Sequence, residues 1–324
     1  MKLKYIHWTR SKGIGGRIIS HDDFVVKEII GKKFLHKFSR NESGITRQRK
    51  YFLYLLKKEN ITTKNAIKMI AKHFGVPLNE IGYAGLKDKF AVTEQYITMK
   101  KEVNDTELTN LSLKKIKPTN NMISVGDLAG NGFTITLHGT SFSNKIIEEI
   151  KSKPMPNYFG LQRFGKNRNN HVIGKYIIKR EFGRALKVIN SNSGRKFSGI
   201  KEADKSTIKF YIHAYQSWIF NEVLNMALKS RKKTDKIKIV GRDSKLTGSK
   251  SDKILSGILK KENVQPKDFS IKELSLSCRG SYRKAFINIK DIHYVVNEDK
   301  ITLKFQLPKG SYATVLINEV SKNK

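Results

Sequence analysis

Alternating apolar and polar positions divide the chain into a strand-rich start, a helical middle and a strand-rich end. "DDFVVKEII" at 22–30 alternates and then runs apolar, which predicts a strand, and "YFLYLL" at 51–56 predicts a second, more fully buried one. Between them "HKFSRNESGITRQRK" reads as a basic loop. Residues 63–74 predict a helix: Thr63 can cap it, Ala66, Ile67, Ile70, Ala71 and Phe74 form one apolar stripe, Gly75 stops it and Pro77 follows. Ile81 to Ala84 predicts a short strand, "GLKDK" a tight connection, and the β-branched and aromatic "FAVTEQYITM" a further strand. "NGFTITLHG" at 131–139 is a strand by strict alternation. "KITLKFQL" at 300–307 followed by "PKGSYATVLI" predicts a terminal strand pair around a Pro-Lys-Gly turn.

The middle changes period. "IHAYQSWIFNEVLNMALKSRKK" predicts a long helix with a stripe through Ile212, Tyr215, Ile219, Val223 and Met226, and its basic end suits the C-terminal side of a helix dipole. Residues 229–273 are lysine-rich and weakly patterned, and "GRDSKLTGSKSDK" reads as an exposed loop. The simplest organisation is a mixed α/β (α+β) domain interrupted by a more helical insertion. The 324 residues are enough to bury a core without disulfides or metals.

Charge narrows the partners. Lys and Arg total 64 against 28 Asp and Glu, a formal charge of +36. Such an excess favours polyanions, nucleic acid first and membrane surfaces second. No run of 18 apolar residues is present, and "MKLKYIHWTRSKG" lacks the apolar stretch of a signal peptide. A soluble, cytoplasmic protein with no membrane partner is the expectation. Cys278 is the only cysteine, so an internal disulfide or a zinc site of several thiolates is excluded. There is no H-E-x-x-H and no G-x-x-x-x-G-K-[ST], and "GIGGR" at 13–17 reads as a glycine-rich turn. The expectation is no metal and no cofactor.

Two stretches could carry chemistry. "GYAGLKDKFAVTEQ" at 82–95 seats Asp88 between Lys87 and Lys89. An aspartate at a turn commonly binds local backbone amides. The apolar density of Tyr83, Ala84, Leu86, Phe90 and Val92 argues instead for a partly buried carboxylate with a cationic partner, which could act as nucleophile or base. Metal-assisted cleavage would need gathered carboxylates, and the nearest acids in sequence are Glu80 and Glu94. "PMPNYFGLQRFGKNRNNHVIGK" at 154–175 interleaves aromatics, glycines and bases. That mix suits splayed-out RNA held by stacking and phosphate contact, and equally a packed loop with Tyr158, Phe159 and Phe164 in the core and Arg163 and Lys166 in water.

Six strings in this order, "DDFVVKEI", "GYAGLKDKFAVTEQ", "GNGF", "NYFGLQRFG", "AYQSWIFN" and "LPKGSYAT", resemble the TruD-type tRNA pseudouridine synthases, over residues 13 to 320. The resemblance implies an isomerase that turns a uridine of transfer RNA, uridine 13 in the D-arm, into pseudouridine without cofactor, metal or required protein partner. The family's catalytic aspartate corresponds to Asp88. Its substrate-contacting phenylalanine falls on Phe24, its asparagine on Asn131 with Phe133 beside it, and the aromatic of G-S-[FY]-A-T on Tyr312. Lys87 and Arg163 are the further candidates for substrate contact. The motif usually written E-D-F reads "DDF" here, a basic position before it is Ile18 with Arg17 adjacent, and Tyr312 stands where some members have phenylalanine.

The implied fold is a pseudouridine-synthase core, a mixed and largely antiparallel sheet flanked by helices, interrupted by a TRUD-type insertion domain. The expected division is a catalytic domain of residues 1–155 and 289–324 and an insertion domain of 156–288. An inactive RNA-binding module of the same fold is the alternative from another class.

Overall fold

The strands foretold by alternation assemble into one large sheet in the computed structural model, which describes residues 3–31, 50–194, 196–230 and 234–323. The loop expected at 36–50 lies outside the described residues except for Lys50. The chain divides into two units: a sheet unit of Ser11–Ser152, Asn288–Gly310 and Val320–Lys324, and a helical unit of Met1–Arg10, Lys153–Ile287 and Ser311–Glu319.

The sheet unit contains β1 (Gly15–Arg17), β2 (Phe24–Ile30), β3 (Tyr51–Glu59), α1 (Thr63–Phe74), β4 (Ile81–Tyr83), β5 (Val92–Met99), β6 (Thr106–Leu108), β7 (Leu111–Thr119), β8 (Leu128–Thr140) and α2 (Asn144–Lys151). Its later strands are β15 (Lys290–Asn297) and β16 (Lys300–Pro308). The sheet order is β15-β16-β8-β2-β5-β3-β7-β6, with β1 on β8 and β4 on β5. Every pairing is antiparallel except β2 with β5. The sheet is therefore mixed and largely antiparallel, as expected.

Register decides which side chains share a face, because paired residues point the same way. Phe24 lies opposite Ile135, Val26 opposite Phe133 and Glu28 opposite Asn131. On the other flank Lys58 pairs with Thr93, Leu56 with Gln95 and Tyr54 with Ile97. Helix α1 covers the β5–β3–β7 part of this face, packing Ala66, Ile67 and Ile70 against Tyr54, Leu56, Ile97, Met99, Leu111 and Leu113.

The cap of α1 differs from expectation by one residue. Thr62, in extended backbone, accepts from the Asn65 N–H, while Gly75 closes the helix in the left-handed region. Thr63 is already helical and buried. The terminal segment differs more. After the Pro-Lys-Gly turn the chain forms helix α7 (Ala313–Ser321) and not a second strand; β16 pairs with β15 and β8. Ala313, Val315, Leu316 and Val320 are buried, so packing overrides the strand propensity of a β-branched run.

The helical unit contains β9 (Met155–Pro156), α3 (Asn170–Ile178), α4 (Phe182–Ser193), α5 (Lys205–Lys229), β10 (Lys236–Ile239), α6 (Lys250–Glu262), β11 (Ser270–Ile271), β12 (Leu276–Ser277), β13 (Ser281–Lys284) and β14 (Phe286–Ile287), together with α7 through Glu319. Its strands form three short pairs, β9 with β14, β10 with β13 and β11 with β12. Helix α5 is buried on nearly all sides, Tyr215 to Asn221 without a break, and Met226 of the expected stripe is exposed. One apolar stripe was therefore too narrow a description of a central helix. The weakly patterned 229–273 holds β10 and α6, the latter capped by Ser249, whose hydroxyl accepts from Asp252 N–H. The "GIGGR" turn becomes β1, with Gly15 and Gly16 at positive φ.

Candidate functional site

Asp88 lies in the connection from β4 to β5, and buried polar groups beneath it fix that connection. Gln95 points from β5 toward it and donates to the Gly85 carbonyl at 3.4 Å. The Thr63 hydroxyl donates to the Gln95 amide oxygen at 2.9 Å and accepts from the Lys87 N–H at 2.9 Å. Lys58, fully buried at the end of β3, donates to the carbonyls of Ile61 at 2.7 Å and Asp88 at 2.9 Å. Since Gln95 and Lys58 belong to the same face as Phe24, Glu28, Asn131 and Phe133, the connection overlies that face.

Thr63→Val removes the hydroxyl at nearly constant volume and leaves the Lys87 N–H and the Gln95 amide without it. An unfolding free energy lower by about 1–3 kcal/mol is expected from urea titration. An unchanged midpoint would remove Thr63 from this account.

Lys87 does not reach outward. Its ammonium meets Glu28 at 2.7 Å, with side chains only 7% and 2% exposed, and the second Glu28 oxygen accepts from the Tyr96 N–H. A buried pair of this kind orients more than it stabilises, since both ions lose water. Lys87 thus anchors the connection to β2, and Asp88, Lys89 and Phe90 are left at the surface. The carboxylates nearest in sequence each hold their own lysine: Glu80 with Lys100 at 2.8 Å and Glu94 with Lys27 at 3.1 Å.

Lys58 is the cation that the sequence reading passed over. Burial pulls its pKa down to about 8; the Asp88 carboxylate opposes that fall and Lys87 adds to it. Its charge therefore interacts with Asp88 directly. Phe24 and Phe133 meet edge to face at 6.2 Å, and Phe133 stacks on Phe305 at 5.3 Å. Two residues along β8, the amide oxygen of Asn131 is buried with no hydrogen-bond partner among the described residues. Gly130 allows the close approach of β16 here, since a Cβ would run into the Leu307 carbonyl. The structure thus gathers Phe24, Asn131, Phe133 and the Asp88 connection on one face of the sheet unit.

Tyr312 and Arg163 belong to the helical unit. There the "NYFGLQRFG" string is held by the "AYQSWIFN" string of α5. Asn221 accepts from Phe159 N–H at 2.9 Å and donates to the Phe159 carbonyl at 3.0 Å, and Asn225 accepts from the Tyr158 hydroxyl at 2.6 Å. Tyr158, Phe159 and Phe164 are core residues. Tyr312 packs its ring 6.1 Å from that of Phe159. The Arg163 guanidinium lies over Phe159 and donates from Nε to Ser217 Oγ at 3.1 Å. Two of the strings are thus a structural pair, one supplying the side-chain amides that the backbone of the other requires.

No group of three or more His, Cys, Asp or Glu among the described residues is placed to hold a metal ion. No helix among them is long and apolar enough to cross a membrane.

Comparison with known proteins identifies the family. The profile of the family described as tRNA pseudouridine synthase D (TruD) matches residues 4–205 and 230–320. A tRNA pseudouridine synthase D of Sulfurimonas denitrificans is 30% identical, the alignment covering 93% of this chain and 94% of that protein. A Pyrococcus furiosus protein assigned the same name is 29% identical, covering 99% and 98%. The crystal structure of a Methanosarcina mazei protein assigned to tRNA pseudouridine synthase D superposes with a TM-score of 0.74 over 99% of this chain and 96% of that one, at 21% identity, which shows a common fold.

Proposed function

This chain belongs to the tRNA pseudouridine synthase D family, and on that premise we propose that it isomerises uridine 13 in the D-arm of transfer RNA, with Asp88 as the nucleophile. The observation that supports the reading is the buried amide oxygen of Asn131, without a hydrogen-bond partner among the described residues, on the face that the Asp88 connection overlies. A buried acceptor without a donor costs about 1–3 kcal/mol. The N3–H of a flipped-out uracil is a donor of matching size, and Phe24 and Phe133 supply aromatic surface near it.

In the reaction the base is detached and rejoined, so product and substrate hold the same atoms. The Asp88 carboxylate attacks either the ribose C1′, where the bond to N1 breaks and uracilate leaves, or C6 of the base. In the C6 route the N1–C1′ bond breaks after the adduct forms. The base then turns and C5 bonds to C1′; this displaces the Asp88 carboxylate from C1′ in the first route, and in the second the carboxylate leaves C6 by elimination. The C5 proton is lost, N1 takes one up, and Asp88 returns as a free carboxylate. In either route Asp88 must be ionised when the base arrives, and the Lys58 charge beneath it favours that state. Within the helical unit, Tyr312 and Arg163 are the candidates for substrate contact, since aromatic and guanidinium groups suit nucleotides. The cytoplasm is where such a substrate is met.

Two transcripts of one transfer RNA, with uridine or cytidine at position 13, test the site. Carbodiimide-dependent primer-extension stops are expected at position 13 of the first and nowhere in the second. Stops at another position in both would overturn the choice of uridine 13, and binding without any product would favour the inactive RNA-binding module.

A further inference from the structure

Inside the helical unit two guanidinium groups share one aromatic ring and no carboxylate. Arg283 lies 4.3 Å and Arg163 5.7 Å from the centroid of Phe159, with Phe220 and Phe210 at 5.7 Å and 5.4 Å beneath Arg283 and Arg163 respectively. Arg283 is partly committed, donating from Nε to the Asn157 carbonyl at 2.9 Å and from Nη2 to Asn157 Oδ1 at 2.6 Å. Arg163 donates only from Nε, to Ser217 Oγ, and its two terminal amino groups have no partner among the described residues.

This arrangement is unfavourable by itself. Burial disfavours the charge on both groups, Arg163 adds repulsion at Arg283, and the only opposing influence on either from a titratable group is the Tyr312 phenol. The same positive field, from Arg163 and Lys209, helps burial push His213 down to about 4 and keep it neutral. Like charges collected in a half-buried site without a counter-charge mark a place that an anion completes. Asn157 and Phe159 account for Arg283; nothing among the described residues of the unit accounts for the open fork of Arg163.

We propose that Arg163 and Arg283 form a receptor for one backbone phosphate of the RNA substrate, the Arg163 amino groups supplying the direct hydrogen bonds. A planar fork of N–H donors matches the oxygens of a phosphodiester, and the substrate of this family carries one at every nucleotide. The assignment rests on the reading of the chain as an RNA-modifying enzyme.

The test is transfer-RNA binding and turnover over a series of salt concentrations for wild type, Arg163→Gln, Arg163→Lys and, as control, Arg184→Gln, whose side chain sits at the surface against Glu181. Loss of one phosphate contact lowers the slope of log affinity against log salt by roughly 0.7–0.9. Arg163→Gln is expected to show that decrease with a KM raised about tenfold and a smaller effect on kcat, Arg163→Lys to keep the slope, and Arg184→Gln to match wild type. A merely structural Arg163 would leave the slope unchanged, and that result would overturn the receptor. Should Arg163→Gln fail to fold, single methylphosphonates walked through the transfer RNA, on wild type and Arg163→Lys, take its place. One position must then cost wild type more affinity than it costs Arg163→Lys, which lacks the fork, and equal costs for the two proteins at every position also overturn it. Pseudouridine formation by wild type in the same samples separates the two claims, since its absence would defeat the enzymatic reading while an unchanged slope defeats only this site.

Discussion

Asp88→Asn is expected to stop pseudouridine formation, lowering the single-turnover rate by at least about 10⁴-fold, while transfer-RNA affinity stays within about threefold of wild type. The separation follows from what holds residue 88 in place. Lys58 grips its main-chain carbonyl and Thr63 the preceding N–H, so an asparagine keeps both of these anchors and loses the charge. Affinity is expected to come from phosphate contacts, which a formal charge of +36 favours. A carbodiimide primer-extension assay reads the product and a filter-binding titration the affinity. Normal product from the variant would remove Asp88 from the chemistry; loss of binding in parallel would show that it holds RNA and does not attack it.

Lys58→Met is expected to lower turnover by about 10²-fold through both the position and the charge state of Asp88. The pH dependence separates a charge effect from a packing one. With a pKa near 8 in the folded protein, Lys58 holds fewer protons there than in the unfolded chain between pH 8 and the ordinary lysine value near 10.5. Stability from this group therefore rises with pH across that window and is at its lowest below pH 8, where the buried ammonium is charged in both states. The melting temperature of Lys58→Met relative to wild type should accordingly fall as pH rises from 7 to 10. Wild-type turnover should decline above pH 8 as the cation is lost, and the variant should lack that limb. A variant with parallel pH curves would reduce Lys58 to a packing residue.

Much of this site was readable because its parts sit in short strings of unusual composition. The candidates Phe24, Asn131, Phe133 and Asp88 came from such strings, and register places the first three on one face. The groups beneath them were not singled out. Lys58 carried a signal: Tyr54, Leu56 and residue 58 share one parity of an alternating strand, so the inward row ends on a lysine. Thr63 was credited with a cap that Thr62 makes, because sequence alone does not say at which of two adjacent threonines the helix begins. Ser249 and Asp252 marked the start of α6, but a lysine-rich background hid the apolar positions Leu255, Ile258 and Leu259 that bury it. Helix α7 was beyond reach for a different reason, since Ala-Thr-Val-Leu-Ile favours a strand until neighbouring elements are there to bury it.

The short pair β9–β14 bears on how the sheet is completed. It joins Met155 to Ile287 and Pro156 to Phe286, at the two points where the helical segment leaves and rejoins the sheet unit in sequence. β8 pairs with β16 across that whole segment, Asn131 facing Leu307. Bringing such distant residues together in an unfolded chain carries a loop-closure entropy that grows with the logarithm of the loop length. Once β9 and β14 are zipped, the segment counts as a stem of fixed, strand-to-strand width, and only the stretches 141–154 and 288–299 remain to be closed. Pairing of β9 with β14 therefore lowers the closure entropy that β16 meets in docking on β8, by an amount that grows only with the logarithm of the loop removed.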